Sequence, residues 1–142
     1  MIYKLDNKDQ KTLKKLGDIW LSSNIYAHNF TDKNYWIDNY NNVIEAFKNS
    51  KIIVYENEKE ILGFCGLINN YIAGFFIEEG SRNKGVGSEL INFLKKEKQN
   101  LYLKVYKDNT KAVNFYKKHK FRIIKEEIDE TKNIEYVMFW EN

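Results

Sequence analysis

Proline is absent from the 142 residues, cysteine occurs once and histidine twice. A single thiol excludes any intramolecular disulfide, so no covalent staple holds this fold. Cys65 lies in the apolar run from Ile61 to Ile68 and reads as a buried small hydrophobe rather than a catalytic thiol. No metal site is expected. Long hydrophobic runs are missing too. None approaches the ~18 residues of a membrane span, so neither a span nor a signal peptide is expected, and the reading is of a soluble cytoplasmic protein. Charge of one sign is also scarce: 23 cations are scattered among 20 anions, for a formal net charge of +3. That mild excess fits an acidic small ligand. It lacks the clustered basic face that nucleic acid requires. No linker or repeat divides the chain, and the length suits one domain over residues 1–142.

What is present is apolar residues at two different periods. Asp9 to Asn24 carries Leu13, Leu16 and Trp20 at helical spacing. After a polar break at Ala27-His28-Asn29-Phe30, Thr31 or Asp32 can cap a second helix with Trp36, Tyr40, Val43, Ile44 and Phe47 on one face. Then the period changes. Lys51–Tyr55 and Ile61–Ile68 read as an antiparallel hairpin, and Tyr71–Ile77 as a third run of the same kind. Ile2–Leu5, Leu101–Val105, Phe121–Ile128 and Glu135–Trp140 are further strands. A third helix begins near Gly85, with Val86, Leu90, Phe93 and Leu94 inward. A fourth spans Thr110–Lys118. The order β-α-α-β-β-β-α-β-α-β-β predicts an α/β fold with a mixed sheet and helices on both faces.

The stretch from Glu78 to Leu90, EEGSRNKGVGSEL, stands where a strand stops and a helix begins. The first turn of a helix leaves backbone N–H groups without partners, and the helix dipole favours an anion there. Gly85 and Gly87 let backbone approach a phosphate without a Cβ in the way. Arg82 and Lys84 add positive charge. The same glycines could instead do no more than join strand to helix. A Walker A loop is poorly supported, because Val86-Gly87 stand where Lys and Ser/Thr are needed. A dinucleotide fingerprint fails at Leu90, the place of its third glycine.

A second segment completes the pattern. Arg82-x-x-Gly85-x-Gly87 after a strand, followed by Asn109, Ala112, Phe115, Tyr116 and Phe121 around the last helix, resembles the GNAT superfamily of acyl-CoA N-acyltransferases. Residues 27–36 further resemble a small bacterial subgroup in which some members acetylate protein lysines. The resemblance implies a mixed, mostly antiparallel seven-stranded sheet with four helices on its two faces. It implies an acetyl-CoA-dependent N-acetyltransferase that moves acetyl to a primary amine, on a small molecule or a protein lysine or N-terminus, as monomer or homodimer.

Residue by residue, the resemblance assigns the amides of Asn83, Lys84, Gly85, Val86, Gly87 and Ser88 to the coenzyme pyrophosphate, with Arg82 beside them. It assigns the backbone of Phe75, Phe76 and Ile77 to the pantetheine arm and Asn109 to the coenzyme; Asn109 also suits a helix cap. Tyr116 matches the general acid, and a phenol of pKa ~10 holds its proton at neutral pH. His28, Phe30, Tyr35, Trp36 and Tyr71 are acceptor-pocket candidates; aromatics at helical spacing are also ordinary core. Some members carry a Glu base where Lys104 stands here. Glu78, His28 or a water chain are the replacements open to the sequence. That gap keeps a non-catalytic acyl-CoA-binding sensor in view as the alternative. Asn83 and Lys120 occupy places where glycine is common; Asn tolerates left-handed backbone, so the turn should survive, whereas a positive φ at Lys120 costs on the order of 1 kcal/mol.

Overall fold

The computed structural model describes residues 1–142. The chain runs β1 (Ile2–Lys4), α1 (Gln10–Ala27), α2 (Lys33–Lys48), β2 (Lys51–Asn57), β3 (Glu60–Ile68), β4 (Tyr71–Ile77), α3 (Val86–Glu97), β5 (Asn100–Tyr106), α4 (Thr110–Lys118), β6 (Arg122–Ile128) and β7 (Ile134–Glu141). A single 3-10 turn, Glu79–Ser81, precedes the glycine turn. The expected order and the four helices are all present.

Helix α1 extends past its expected end. Asn24 ends the expected span, and its buried side-chain amide donates to the Trp20 carbonyl at 2.8 Å. The helix therefore absorbs the polar group and continues until the His28 N–H closes it on the Asn24 carbonyl at 2.9 Å. Asp9 caps its start by accepting from the Thr12 N–H at 2.8 Å. Of the two caps open for α2, Asp32 is the one used, accepting from the Asn34 N–H at 2.9 Å.

The strands form one sheet in the order β1-β2-β3-β4-β5-β7-β6. Every neighbouring pair is antiparallel except β4 and β5. Alternation along β2 sends Ile53 to one face and Ile52 and Val54 to the other. The first face is covered by α3 and α4, around Leu90, Ile91, Leu94 and Val113. The second is covered by α1 and α2, around Leu16, Ile19, Trp20 and Trp36. Cys65 is fully buried in the first core, as expected, and burial pushes its thiol up to about 12.

One irregularity positions the site. Opposite β3, Gly74 pairs with Gly66 but Ile72 pairs with Leu67, so Ala73 bulges out of register. Beyond it β4 and β5 no longer pair. Their only register partners are Tyr71–Tyr102 and Ile72–Leu103. The two strands splay, and the edge of β4 toward β5 is left open. No helix is long and apolar enough to cross a membrane.

Candidate active site

The splay opens a cleft of about 770 Å³. Its walls are β4 from Tyr71 to Phe76, β5 from Leu103 to Tyr106, and the start of α4 at Asn109, Ala112 and Tyr116. His28 at the end of α1 and Tyr35 on α2 close one side. The β6–β7 hairpin supplies the rim with Glu127, Asp129, Glu130 and Glu135. A second hollow of about 560 Å³ lies between the first strand and α1, around Tyr3, Lys15 and Glu60, and holds none of the sequence motifs.

At the start of α3, none of the amides from Asn83 to Ser88 makes a backbone hydrogen bond of good geometry. Six consecutive donors are thus free at the positive end of a helix, the arrangement that binds pyrophosphate. The turn is made by two left-handed residues, Asn83 at φ 63° and Gly85 at φ 84°. A Cβ on Gly85 would meet nothing within 4 Å, so open space adjoins the turn. Gly87 serves a different purpose. Its Cβ would sit 3.2 Å from the Phe115 ring, so this glycine lets α3 pack on α4. Arg82 also differs from expectation. It turns toward α1, donating to the Ser23 hydroxyl at 3.3 Å with its guanidinium 4.6 Å over the Tyr26 ring. Lys84 stays exposed. The Ser88 hydroxyl meets His119 Nε2 at 3.1 Å.

Tyr116 is 7% exposed and is wedged among Phe75, Phe115 and Phe121. Burial, with a smaller push from Cys65, raises its phenol well above the ordinary value of 10.0. The group is therefore a proton carrier at neutral pH, placed on the cleft wall.

Asn109 does two jobs. Its Oδ1 accepts from the Ala112 N–H at 3.3 Å, capping α4 and fixing the amide orientation. Its Nδ2 then lies 3.3 Å from His28 Nε2. An N–H donates, so Nε2 accepts and the ring proton sits on Nδ1, which is buried without a hydrogen-bond partner. Phe30, Trp36 and Tyr106 surround the imidazole. Burial drives His28 down to about 4, only partly offset by the Asn24 carbonyl. His28 is neutral at pH 7 and its free lone pair is spent on Asn109. It orients the start of α4 and is poorly suited to be a base.

The rim is anionic. Glu127 is held by Lys104 at 2.7 Å and Lys125 at 3.6 Å. The Lys104 hydrogen bond keeps its carboxyl below the ordinary value. Asp129 ties the hairpin turn together, accepting from the Thr131 N–H at 2.9 Å, the Thr131 hydroxyl at 2.6 Å, the Asn133 N–H at 3.1 Å and the Tyr106 hydroxyl. Burial works against its charge, but these donors outweigh it and hold the carboxyl low. Glu130 accepts from the Tyr35 hydroxyl. Glu135 is the exception: burial and the charges of Asp129 and Glu127 outweigh Lys104 and raise it above 4.5.

A model of the acetyltransferase (GNAT) family matches residues 13–121. The chain belongs to the GNAT acetyltransferase family. It is 30% identical over 131 residues, 90% of each chain, to peptidyl-lysine N-acetyltransferase YiaC of Escherichia coli K12. Its fold matches the apo form of YjaB from Escherichia coli with a TM-score of 0.86 at 22% identity, covering 99% of this chain and 96% of that one. An aminoglycoside 6'-N-acetyltransferase solved with coenzyme A matches at 0.75 and 14% identity, covering 99% and 96%.

In this GNAT acetyltransferase the splayed strands gather His28, Tyr35, Tyr71, Phe75, Phe76, Asn109 and Tyr116 around one cleft. Other expected residues stand elsewhere. Phe30 and Trp36 pack behind His28 and do not line the cleft. Glu78, an open choice for the base, lies outside the cleft, 3.4 Å from Lys15 of α1. Sequence reading missed Tyr106 and the rim carboxylates altogether. A signal existed: Glu126-Glu127-Ile128-Asp129-Glu130 is a dense acidic run in a chain of net positive charge.

Proposed function

We propose that this acetyltransferase moves the acetyl group of acetyl-CoA to the ε-amine of a protein lysine in the cytoplasm. The observation that carries the reading is the anionic rim around a cleft that opens beside Tyr116. A lysine side chain brings one positive charge on a narrow apolar stem. Such a stem suits the aromatic walls of Tyr71 and Phe76, and its charge suits the rim. The likeness to YiaC, named as a peptidyl-lysine acetyltransferase, supports the same acceptor class.

The cosubstrate supplies an acyl group activated as a thioester. The amides of Asn83, Lys84, Gly85, Val86, Gly87 and Ser88 hold its pyrophosphate, and Lys84 adds charge. The open edge of β4 at Phe75, Phe76 and Ile77 pairs with the amides of its pantetheine arm, as an added strand would. Asn109 offers the Nδ2 proton that His28 does not take. Tyr116 gives a proton to the departing sulfur.

The test is mass spectrometry of acetylation with acetyl-CoA and a panel of lysine peptides, polyamines, amino acids and aminoglycosides. Acetylated lysine in the peptides is the expected result. Turnover of aminoglycosides alone would replace the acceptor class. Acetyl-CoA binding without free thiol from any amine would leave the acyl-CoA sensor as the function.

A further inference from the structure

An amine acceptor arrives at neutral pH as an ammonium, since a lysine has a pKa of ~10.4, and something must take its proton before attack. Four carboxylates line the cleft, and three are committed. Glu127 is clamped by Lys104 and Lys125. Asp129 is saturated by the hairpin turn and the Tyr106 hydroxyl. Glu130 is exposed and takes the Tyr35 hydroxyl. Glu135 is half-buried and lines the same cleft; no cation lies within ion-pair distance of it, and its close neighbour is the Glu127 carboxylate, which favours its protonated form. It stands directly across β7 from Tyr106 on one side and Glu127 on the other, so all three side chains share the face toward α1 and α2.

Resting on the function proposed above, we propose that Glu135 is the base that takes the proton from the incoming amine. The groups that face it are Lys104 and Tyr106 on β5, Glu127 on β6, Asp129 in the hairpin, Tyr71 on β4 and Tyr35 on α2. The anions among them keep its carboxyl more basic than an ordinary glutamate, and Lys104 limits the effect. The step balances as follows. The Glu135 carboxylate accepts one proton from the ammonium. The nitrogen lone pair then forms the C–N bond and the C–S bond breaks. Tyr116 gives its proton to the sulfur and regains one from the new amide nitrogen. Glu135 returns its proton to solvent, so one proton is released for each amide formed.

The experiment is the pH profile of kcat/KM for a lysine peptide in wild type, Glu135→Gln and Glu135→Asp. Alongside it run acetyl-CoA affinity and a carbon-NMR titration of the Glu135 carboxyl. Wild type should rise through the Glu135 midpoint and then plateau. Glu135→Gln should lose the plateau and climb about tenfold per pH unit toward the amine pKa, falling ~10²-fold or more below wild type at pH 7. Its acetyl-CoA affinity should stay unchanged. Glu135→Asp should restore a lower plateau. A Glu135→Gln enzyme with a wild-type profile, or one that loses acetyl-CoA affinity in parallel with activity, overturns the assignment. Should that variant fail to fold, the wild-type titration decides. A carboxyl midpoint that coincides with the acid limb supports the base, and one displaced by more than a unit removes it. Wild type that acetylates no peptide at any pH overturns the function itself, whereas an active wild type with an unmoved variant overturns only the role of Glu135.

Discussion

On one side of the splay, the glycine turn offers six backbone amides from six consecutive residues, Asn83 to Ser88. On the other side, the rim offers side chains from β5, β6, the hairpin and β7, brought together by strand register. Under the proposed function the first region would hold a phosphate by main chain and dipole. Packing there asks different things of the same segment: the neighbouring Arg82 side chain braces α1, and the missing side chain at Gly87 makes room for Phe115. Under the same proposal the second would take an amine by side chains alone, and its carboxylates differ in their partners: Glu127, Asp129 and Glu130 are held, Glu135 is not. A site made of backbone is fixed by where a helix starts. A site made of side chains is fixed by what lies across from what.

This contrast can be broken in graded ways. The largest effect is expected where the two regions meet. Tyr116→Phe should lower kcat by ~10²–10⁴-fold with acetyl-CoA affinity near wild type, measured by steady-state kinetics and calorimetry, because the hydroxyl acts only as the C–S bond breaks. A kcat within about twofold of wild type would mean that water protonates the sulfur.

Gly85→Glu should act on the donor side alone. It places a carboxylate beside the expected pyrophosphate and a Cβ on a residue at φ 84°. Like charges about 4 Å apart near a surface repel by ~4 kcal/mol, so acetyl-CoA affinity should drop by ~100-fold or more. The backbone strain should cost the fold only ~1–2 kcal/mol. Unchanged affinity in calorimetry of a folded variant would show that the pyrophosphate sits elsewhere.

His28→Gln probes the joint between α1 and α4. The folded value near 4 lies below the ordinary 6.5. Between those values the unfolded chain binds more protons, so stability rises with pH. The contribution is complete above pH 6.5 and is lost as pH falls toward 4, to an extent of up to about 3 kcal/mol. Urea midpoints across this window should therefore slope less in the variant than in wild type. Equal slopes would show that the imidazole remains solvated.

The smallest effect belongs to the exposed rim. Glu130→Gln should raise KM for a lysine peptide by ~2–5-fold, the scale of a surface charge pair. It should leave acetyl-CoA affinity untouched. If it changes acetyl-CoA affinity instead, the two regions are coupled and the contrast fails.

The sequence by itself determined the element order, since each strand and helix carries its own apolar period. It located the glycine turn from the physics of a helix start, and the contiguous Asn109–Tyr116 segment through its resemblance to the GNAT motif. It foresaw the strained places as well: Asn83 and Lys120, at φ 63° and 71°, take the left-handed backbone where glycine was missing. It could not decide between Thr31 and Asp32 as a cap, nor see that Asn24 would bury its amide inside α1.

Only the tertiary structure decided the acceptor side. Ala73 drops out of register against β3, β4 leaves β5, and the gap selects which aromatics line a cleft and which, like Trp36, become its backing. Glu127 and Glu135 are close because β6 and β7 pair in that register, and Lys104 meets them from β5. Pairings of this kind join residues far apart in sequence. No local period encodes them, because register is set by the whole sheet closing on its two cores.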